Sequence, residues 1–265
     1  MNSPFTLKGS NALITGAGSD NGIGFASAKL LCEMGASVYI TGASARILDR
    51  VTELKALGHN AFGSVADLTD PGQAEHIVSD AVAQLGSLDI LFNNAGMTSI
   101  DAPMKEVGEA GDGLEISIEG WKKSIDRNLN SAFYVTKFSL LHIRSAEHGR
   151  IIMMSSLTGP VMAIRNDVAY GTTKAALVGF TKELAVDEAK RGVTVNAVAP
   201  GWIKTGSQSV SEGDEGKDVP MGRSATPAEC AAIVGFLASR EASYITGQLL
   251  VVDGGNSISE QRGVR

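Results

Sequence analysis

Cysteine is scarce in this chain: its 265 residues include only Cys32 and Cys230, which lie far apart in helix-like sequence. Because they lack a Cys-x-x-Cys spacing, we expect two small buried thiols in a reducing compartment rather than a disulfide or a metal site. Ligand spacing is also missing around the four histidines, His59, His76, His142 and His148. The sequence therefore predicts no metal.

A basic excess is missing too, because 23 lysines and arginines stand against 29 aspartates and glutamates and leave a net charge of −6. That balance argues against nucleic acid as a partner. No apolar run approaches the length that spans a membrane, and the first residues lack the charged and apolar segments of a secretion signal. These absences predict a cytoplasmic protein with neither a nucleic-acid nor a membrane partner.

Glycine, in contrast, is frequent at 31 residues, and 43% of the chain is hydrophobic. Short β-branched runs alternate with longer amphipathic segments, which indicates βαβ units and a parallel sheet with helices on both faces. Since repeats, linkers and charge blocks are missing, 1–265 is predicted to be one α/β domain. Strands are predicted near 12–15, 38–41, 61–65, 90–93, 151–155, 193–198 and 249–252, and helices near 24–34, 46–57, 73–84, 121–144, 169–190 and 227–238.

Two acidic segments that contain glycine, at about 97–120 and 206–218, resist assignment. Each would leave the carboxyl end of a parallel strand, the edge at which doubly wound sheets bind ligands. They are predicted to be substrate loops, the second of them mobile. Solvated surface loops are the alternative.

Tyr170 and Lys174 are four residues apart in helix-like sequence, so their side chains are expected on one helix face. An ammonium near a phenol favours the phenolate, which predicts a Tyr170 pKa lowered towards neutrality and a group that gives or takes a proton. Most such pairs are ordinary helix surface. The pair gains weight from a glycine-rich turn, Gly16 to Gly24, that follows a strand and opens a helix, as dinucleotide binding requires.

Five motifs, taken together, resemble the short-chain dehydrogenase/reductase family over about residues 8 to 255. The resemblance implies a nicotinamide cofactor and a single-domain Rossmann fold with a doubly wound sheet of seven parallel strands. In chain order the motifs are Thr15-Gly16 with Gly22-Ile23-Gly24, Asn93-Asn94-Ala95-Gly96, Ser155-Ser156 with Gly159, Tyr170-x-x-x-Lys174, and Pro200-Gly201-x-x-x-Thr205.

Four catalytic roles follow from the resemblance. Tyr170 would be the general acid in reduction and the base in oxidation, while Lys174 would bind the nicotinamide ribose and lower the Tyr170 pKa. Ser156 would hydrogen-bond the substrate oxygen, and Asn128 would hold a water that links Lys174 to solvent. Taken alone, Ser156 reads as a strand-end capping hydroxyl and Asn128 as an ordinary helix residue.

The resemblance also assigns cofactor contacts to the glycine turn, to the segments after several strands and to the Tyr170 helix. Asp67 would meet the adenine amino group or, alternatively, serve as a turn or cap residue before the helix at Pro71. The full set is Gly16, Gly18, Ser19, Asn21, Gly22, Ile23, Gly24, Thr41, Ser44, Arg46, Asp67, Leu68, Asn94, Gly96, Tyr170, Lys174, Pro200, Gly201, Ile203 and Thr205.

Two features bear on the choice of cofactor. Five residues separate Gly16 from Gly22 where the family has three, so the segment around Asp20 is predicted to bulge. The second strand ends at Gly42 where an NAD enzyme carries Asp or Glu, which leaves Ser44 and Arg46 to bind a 2′-phosphate. Although Asp20 weighs against it, NADP(H) is favoured over NAD(H).

The predicted activity is reversible hydride transfer between the nicotinamide and a small ketone or secondary alcohol. One alternative is a 3-oxoacyl carrier-protein reductase: Arg191 matches one basic residue that meets the acidic carrier, but Tyr134 replaces the other. The acidic segment at 206–218 would also repel such a partner. A nicotinamide-binding regulator without turnover is the second alternative, and the presence of both Tyr170 and Lys174 opposes it.

By resemblance, the chain is expected to form a homotetramer, or a homodimer, through the helices at 121–144 and 169–190. The candidate apolar contacts, which could equally face the sheet, are Val135, Leu177, Val178 and Phe180.

Overall fold

The computed structural model describes residues 4–96 and 108–260. Its seven parallel strands lie in the order β3-β2-β1-β4-β5-β6-β7, so the order reverses between β1 and β4. This arrangement confirms the predicted doubly wound Rossmann sheet. The strands are β1 (Asn11–Ile14), β2 (Ser37–Gly42), β3 (Ala61–Val65), β4 (Ile90–Asn93), β5 (Arg150–Met154), β6 (Thr194–Pro200) and β7 (Leu249–Val252).

Helices connect successive strands. The described α-helices are α1 (Ile23–Glu33), α2 (Arg46–Ala56), α3 (Pro71–Leu85), α4 (Ile118–Ile125), α5 (Ser131–Arg144), α6 (Val168–Glu188), α7 (Val210–Lys217) and α8 (Pro227–Ala238). Short 3₁₀ turns follow α6 and α8, at Ala189–Arg191 and Arg240–Ala242. Pro71 and Pro227 begin their helices, where a missing amide proton breaks no helical bond.

The predicted helix at 121–144 is interrupted, which the sequence did not indicate. A π-helical turn, Asp126–Asn130, joins α4 to α5. Such turns insert one residue into a helix and are frequent at functional sites, because they re-aim the side chains that they carry. Asn128 lies at the centre of this turn.

The prediction of a mobile loop at 206–218 was wrong, because most of this segment forms α7. Ser209 and Glu212 form a reciprocal capping box, in which each side chain accepts from the backbone of the other. The cap offsets the glycines of the segment. In the other predicted substrate loop, 97–107 lies outside the described residues, turns follow from 108, and α4 begins at Ile118.

The sheet separates two hydrophobic layers. Alternate strand residues such as Ile14 and Leu13 point to opposite faces, one packed by α1, α2 and α8 and the other by α3, α5 and α6. Val135 and Leu177 are buried in the second layer, so neither is available for subunit contact. Both cysteines are buried and free. None of the described helices is long and apolar enough to cross a membrane.

Candidate active site

The predicted site residues gather at the carboxyl edge of the sheet, near the reversal of strand order. The glycine turn follows β1, Asn94 and Gly96 follow β4, and Ser156 follows β5. Tyr170 and Lys174 lie in the first two turns of α6. The fold therefore brings together motifs that are far apart in the chain, where open parallel sheets bind their ligands.

The glycine turn is fixed by the segment after β4. Gly16 has a φ of +69°, and a Cβ there would stand 2.7 Å from the Ala95 Cα, so only glycine suits this position. The Asn94 side chain donates to the carbonyl oxygens of Thr15 (3.1 Å) and Gly16 (3.0 Å). In return, the Thr15 hydroxyl accepts from the backbone of Asn94 and Ala95. These bonds hold the glycine turn, which leads into α1 at Ile23, against the segment after β4.

The bulge predicted after Gly18 has two contacts that the sequence did not reveal. Its Asp20 carboxylate lies 3.8 Å from the Arg50 guanidinium, which also sits over the Phe25 ring at 5.3 Å. The backbone oxygen of Asn21 accepts from Gly206 at 3.2 Å. The bulge thus connects the glycine turn to α2 and to the segment before α7. No spacing rule links Arg50 to Asp20, so only the fold could show this pair.

The ends of β2 and β3 place the other predicted adenosine contacts. Arg46 Nε donates to the Ser44 hydroxyl at 3.2 Å, and both side chains are exposed. Thr41 differs, because its hydroxyl is buried and donates to the Ser64 carbonyl inside the sheet. Asp67 is exposed and accepts from the Thr69 backbone at 3.0 Å, which is the turn role considered above, while the helix cap is Asp70. The remaining predicted contact in this region, Leu68, is buried.

The segment after β5 is seated directly on α6. The Ser155 hydroxyl donates to the carbonyl of Lys174 at 2.7 Å, while Ser156 accepts from the Thr158 backbone at 3.1 Å. Gly159 has a φ of +103°, and a Cβ there would overlap the carbonyl oxygen of Gly171, next to Tyr170. Glycine at this position therefore lets the Ser156 segment contact the helix that carries the phenol.

The expectation of a lowered Tyr170 pKa was wrong for the protein alone. Burial raises the pKa of Tyr170 to about 12, and the hydrogen bond with Ser156 lowers it by less than burial raises it. Burial also lowers the pKa of Lys174 to about 8. The Lys174 ammonium donates to the Met154 carbonyl at 2.9 Å and lies 5.5 Å from the centre of the phenol ring. Removal from water is the largest cause of the shift in the pKa of both groups.

Asn128, in the π-helical turn, brings its side-chain amide close to the Lys174 ammonium. It is 1% exposed and donates to the Ser124 carbonyl at 3.1 Å. A Cβ built on Gly96 would stand 2.8 Å from the Asn128 side-chain oxygen and 3.3 Å from the Lys174 nitrogen. The amide and the ammonium therefore flank one glycine, which places them close together.

The segment after β6 closes another side of the site. Gly201 follows the last residue of the strand, Pro200, and donates to the Val252 carbonyl at 2.9 Å. Ile203 is buried, and the Thr205 hydroxyl pairs with that of Ser207 at 2.9 Å. Among the residues that the structure describes, no group of His, Cys, Asp or Glu side chains is arranged to hold a metal ion.

Comparisons with known proteins agree with this geometry. A family model described as enoyl-(acyl carrier protein) reductase matches residues 16–257. A solved structure of a dehydrogenase/reductase from Sinorhizobium meliloti 1021 superposes with a TM-score of 0.87 at 29% identity, over 96% of this chain and 97% of that one. The chain belongs to the short-chain dehydrogenase/reductase family.

Three relatives with different functional names are each 38% identical to this short-chain dehydrogenase/reductase. Oxidoreductase UcpA of Escherichia coli strain K12 is 38% identical, over 96% of this chain and 97% of the relative. Cyclohexanol dehydrogenase of Acinetobacter sp. strain SE19 is 38% identical over 92% and 93%. The 3-oxoacyl-[acyl-carrier-protein] reductase FabG of Escherichia coli K12 is 38% identical over 94% and 98%. The protein is thus an oxidoreductase that uses a nicotinamide cofactor and acts on alcohol or carbonyl groups.

Proposed function

We propose that this enzyme interconverts a small free ketone and its secondary alcohol, with Tyr170 as the acid and base and with NADP(H) as the cofactor. The observation that carries the proposal is the meeting of three groups at the edge of the sheet: the Tyr170 phenol hydrogen-bonds with Ser156, and the Lys174 ammonium lies 5.5 Å from the centre of the phenol ring. Two neighbouring hydroxyl groups suit an oxygen on which negative charge develops, because both can donate hydrogen bonds to it.

The glycine turn fits a dinucleotide. Gly16 lets the turn pack against Ala95 and Asn94, and the amino end of α1 that follows offers unpaired N–H groups and a favourable dipole for a pyrophosphate. Gly16, Gly18, Ser19, Asn21 and Gly22 to Gly24 would hold the phosphates. Asn94, Gly96, Lys174 and the segment Pro200 to Thr205 would hold the nicotinamide half, which supplies or accepts the hydride when bound.

The side chains divide the proton chemistry between them. Ser156 accepts from the Thr158 backbone and hydrogen-bonds with the Tyr170 phenol, so a bound substrate oxygen would take the place of the phenol as the acceptor of the Ser156 hydrogen. Burial keeps the proton on Tyr170, which suits a donor to an alkoxide, since an alkoxide is the stronger base. The Lys174 ammonium then stabilises the phenolate that remains. Asn128 lies beside Lys174 and would order a water that returns the proton.

The preference for NADP(H) is supported at the end of β2. No acid stands at Gly42, and the hydrogen bond between Arg46 and Ser44 orients a guanidinium at this exposed corner. Asp20, which weighed against a 2′-phosphate, faces Arg50, so its charge has a counter-charge nearby. A 2′-phosphate would therefore meet the Arg46 guanidinium and the Ser44 hydroxyl.

Turnover of a panel of small ketones with NADPH and with NADH tests the proposal. We expect reduction with a higher kcat/KM for NADPH, and Arg46→Ala should lower that value by roughly tenfold while sparing NADH. Arg240→Ala, an exposed arginine after α8, is the matched control. A much higher kcat/KM with NADH would overturn the cofactor preference, and an enzyme that reduces no ketone would overturn the reaction.

A carrier-protein substrate, the alternative function, has less support. Arg191 donates to the Asp187 carbonyl at 2.8 Å and lies 3.7 Å from the buried Glu188, so its charge is engaged within the chain. Acidic residues of α7 would face an acidic partner. A 3-oxoacyl carrier-protein substrate in the same panel separates the two, because the alternative requires it to be preferred over free ketones.

We further propose a cytoplasmic homotetramer that assembles through α5 and α6. Phe133, which is 45% exposed, Tyr134 and Phe180 form an aromatic cluster on these helices, with ring centres about 6 Å apart. Aromatic residues of this kind are common at subunit contacts. Light scattering of the purified protein measures the number of subunits, and a monomer would contradict the proposal.

A further inference from the structure

Glu109 is a buried acid that has no part in the proton chemistry proposed above. Its side chain is 1% exposed, and among the described residues its ion-pair partner is Arg127. Arg127 Nη1 donates to one carboxylate oxygen of Glu109, Oε2, at 2.8 Å. The other oxygen, Oε1, is shielded from solvent and has no hydrogen-bond partner in the described part of the chain. The buried carboxylate therefore depends on Arg127 for its counter-charge, because an unpaired buried charge is costly.

The backbone around Glu109 is held on two sides. Towards α4, a Cβ on Gly120 would overlap the carbonyl oxygen of Gly108, so the two backbones are in direct contact. Towards α6, Gly111 donates to the Asn166 carbonyl at 2.9 Å, just before that helix begins. Both contacts are made by backbone atoms, which cannot rotate away as a side chain can. The Glu109 carboxylate is thus anchored to the elements on both sides.

Arg127 lies in the π-helical turn, Asp126–Asn130, immediately before Asn128. Such a turn carries one residue more than the α-helix around it, so the direction of its side chains depends on the contacts that hold it. Asn128 is buried and lies beside the Lys174 ammonium, since both groups flank Gly96. A shift of Arg127 would therefore move the Asn128 amide relative to the ammonium.

We propose that Glu109 is a positioning residue for the reaction. Through Arg127 it holds the π-helical turn so that Asn128 stays beside the Lys174 ammonium. Neither member of the ion pair has to touch substrate or cofactor in this role. Loss of the pair would let the turn shift and would slow the return of a proton from solvent to Tyr170 through the water that Asn128 orders. The inference rests on the proposed function and adds the ion pair to its proton path.

A double-mutant cycle with Asn128 tests the inference. Glu109→Met replaces the carboxylate by an apolar side chain of similar length, and Arg127, which is 31% exposed, can then turn to solvent. We expect kcat to fall by roughly tenfold, the scale of losing a partner that supports a reacting group, with a nearly unchanged NADPH dissociation constant. In an Asn128→Ala background, Glu109→Met should change kcat by less than about twofold, because the group that it positions is already gone.

Two further variants separate positioning from lost stability and from lost charge. Glu188→Met is the matched control, because Glu188 is also buried and paired with a partly exposed arginine, Arg144, but lies at the end of α6 opposite Tyr170. It should lose stability as Glu109→Met does and keep the wild-type kcat at a temperature where both are folded. Glu109→Gln keeps an oxygen for the Arg127 N–H, so it should retain a higher kcat than Glu109→Met.

The kinetic outcomes are decisive in either direction. A wild-type kcat in Glu109→Met would overturn the inference, and so would equal losses with and without Asn128→Ala. An equal loss in Glu109→Gln would show that charge and not position matters, and would also overturn it. A wild-type kcat in Asn128→Ala would remove the role of Asn128 from the proposed function, and the inference with it.

Hydrogen exchange keeps the test separate from the proposed reaction. The amides of Asp126–Asn130 should exchange faster in Glu109→Met than in Glu188→Met, because only the first variant releases the turn. This measurement needs no substrate, so it remains valid if the enzyme reduces no ketone and the proposed reaction fails. Equal exchange of the turn in the two variants would overturn the inference while leaving the reaction untouched.

Discussion

Gly159→Ala perturbs the turn that seats the Ser156 segment on α6. Gly159 has a φ of +103°, and the atom that an added Cβ would overlap is the carbonyl oxygen of Gly171, which is helix backbone and cannot rotate away. A left-handed conformation costs a residue with a Cβ about 1–2 kcal/mol. Forcing an atom into packed surroundings costs about 1–3 kcal/mol more. We therefore expect the free energy of unfolding to fall by about 2–5 kcal/mol.

The same substitution should lower activity, because the segment that must shift carries Ser156 and the helix that it contacts carries Tyr170. A displacement of about 1 Å at a reacting group costs on the order of 100-fold in rate, so kcat should fall by a similar factor. Urea denaturation followed by circular dichroism measures the stability, and steady-state kinetics at a temperature where both proteins are folded measures kcat.

Gly113→Ala is the control for this experiment. Gly113 is exposed, its φ lies outside the left-handed region, and a Cβ there would meet no described atom within 4 Å. Its stability should stay within about 0.5 kcal/mol of the wild type. Wild-type stability and kcat in Gly159→Ala would show that the turn tolerates a Cβ and would refute the reasoning.

Two further predictions concern pH. Glu188 is buried and accepts from Arg144 at 2.8 Å, and this hydrogen bond holds the Glu188 pKa below its ordinary value. The ionised carboxylate therefore stabilises the fold fully at pH values above the ordinary glutamate pKa, and this stabilisation is lost as the pH falls through the lowered pKa. Glu188→Gln should be less stable than the wild type at neutral pH, and the difference between their urea midpoints should disappear in acid. A difference that persists in acid, or an equal loss of stability in the exposed control Glu183→Gln, would contradict this. Asp167 has the opposite effect on stability, because burial raises its pKa to about 6. Its ionised form therefore destabilises the fold above pH 6, and this effect is absent below the ordinary aspartate pKa. Asp167→Asn should therefore be more stable at neutral pH by about 1 kcal/mol after allowing for solvent screening, and equal stability at all pH values would refute a desolvated carboxylate.

Regular elements were predictable because local pattern determines them. The strands β3, β4 and β7 and the helix α8 begin and end at the predicted residues, and the Thr226-Pro227 cap marks the start of α8 in the sequence. The motifs also located the site, because residues that follow parallel strands meet at one edge of the sheet. Sequence spacing alone was enough for these features.

Features that depend on contacts distant in sequence were not predictable. The π-helical turn at Asn128 and the pair of Arg50 with Asp20 have no local signal. The pKa of Tyr170 could not be predicted from the neighbouring ammonium alone, because burial, which only the fold defines, has the largest effect on it. α7 was missed although its capping box is visible in the sequence as Ser209-x-x-Glu212.

The central claim is that the Tyr170 phenol transfers the proton while a bound nicotinamide transfers the hydride. Tyr170→Phe tests it most directly when the NADPH dissociation constant and the kcat of ketone reduction are measured on the same preparation. The account predicts a nearly unchanged dissociation constant with kcat lowered by about 10²–10⁴-fold, because only the proton donor is removed. A kcat close to that of the wild type, with NADPH bound equally well, would contradict it.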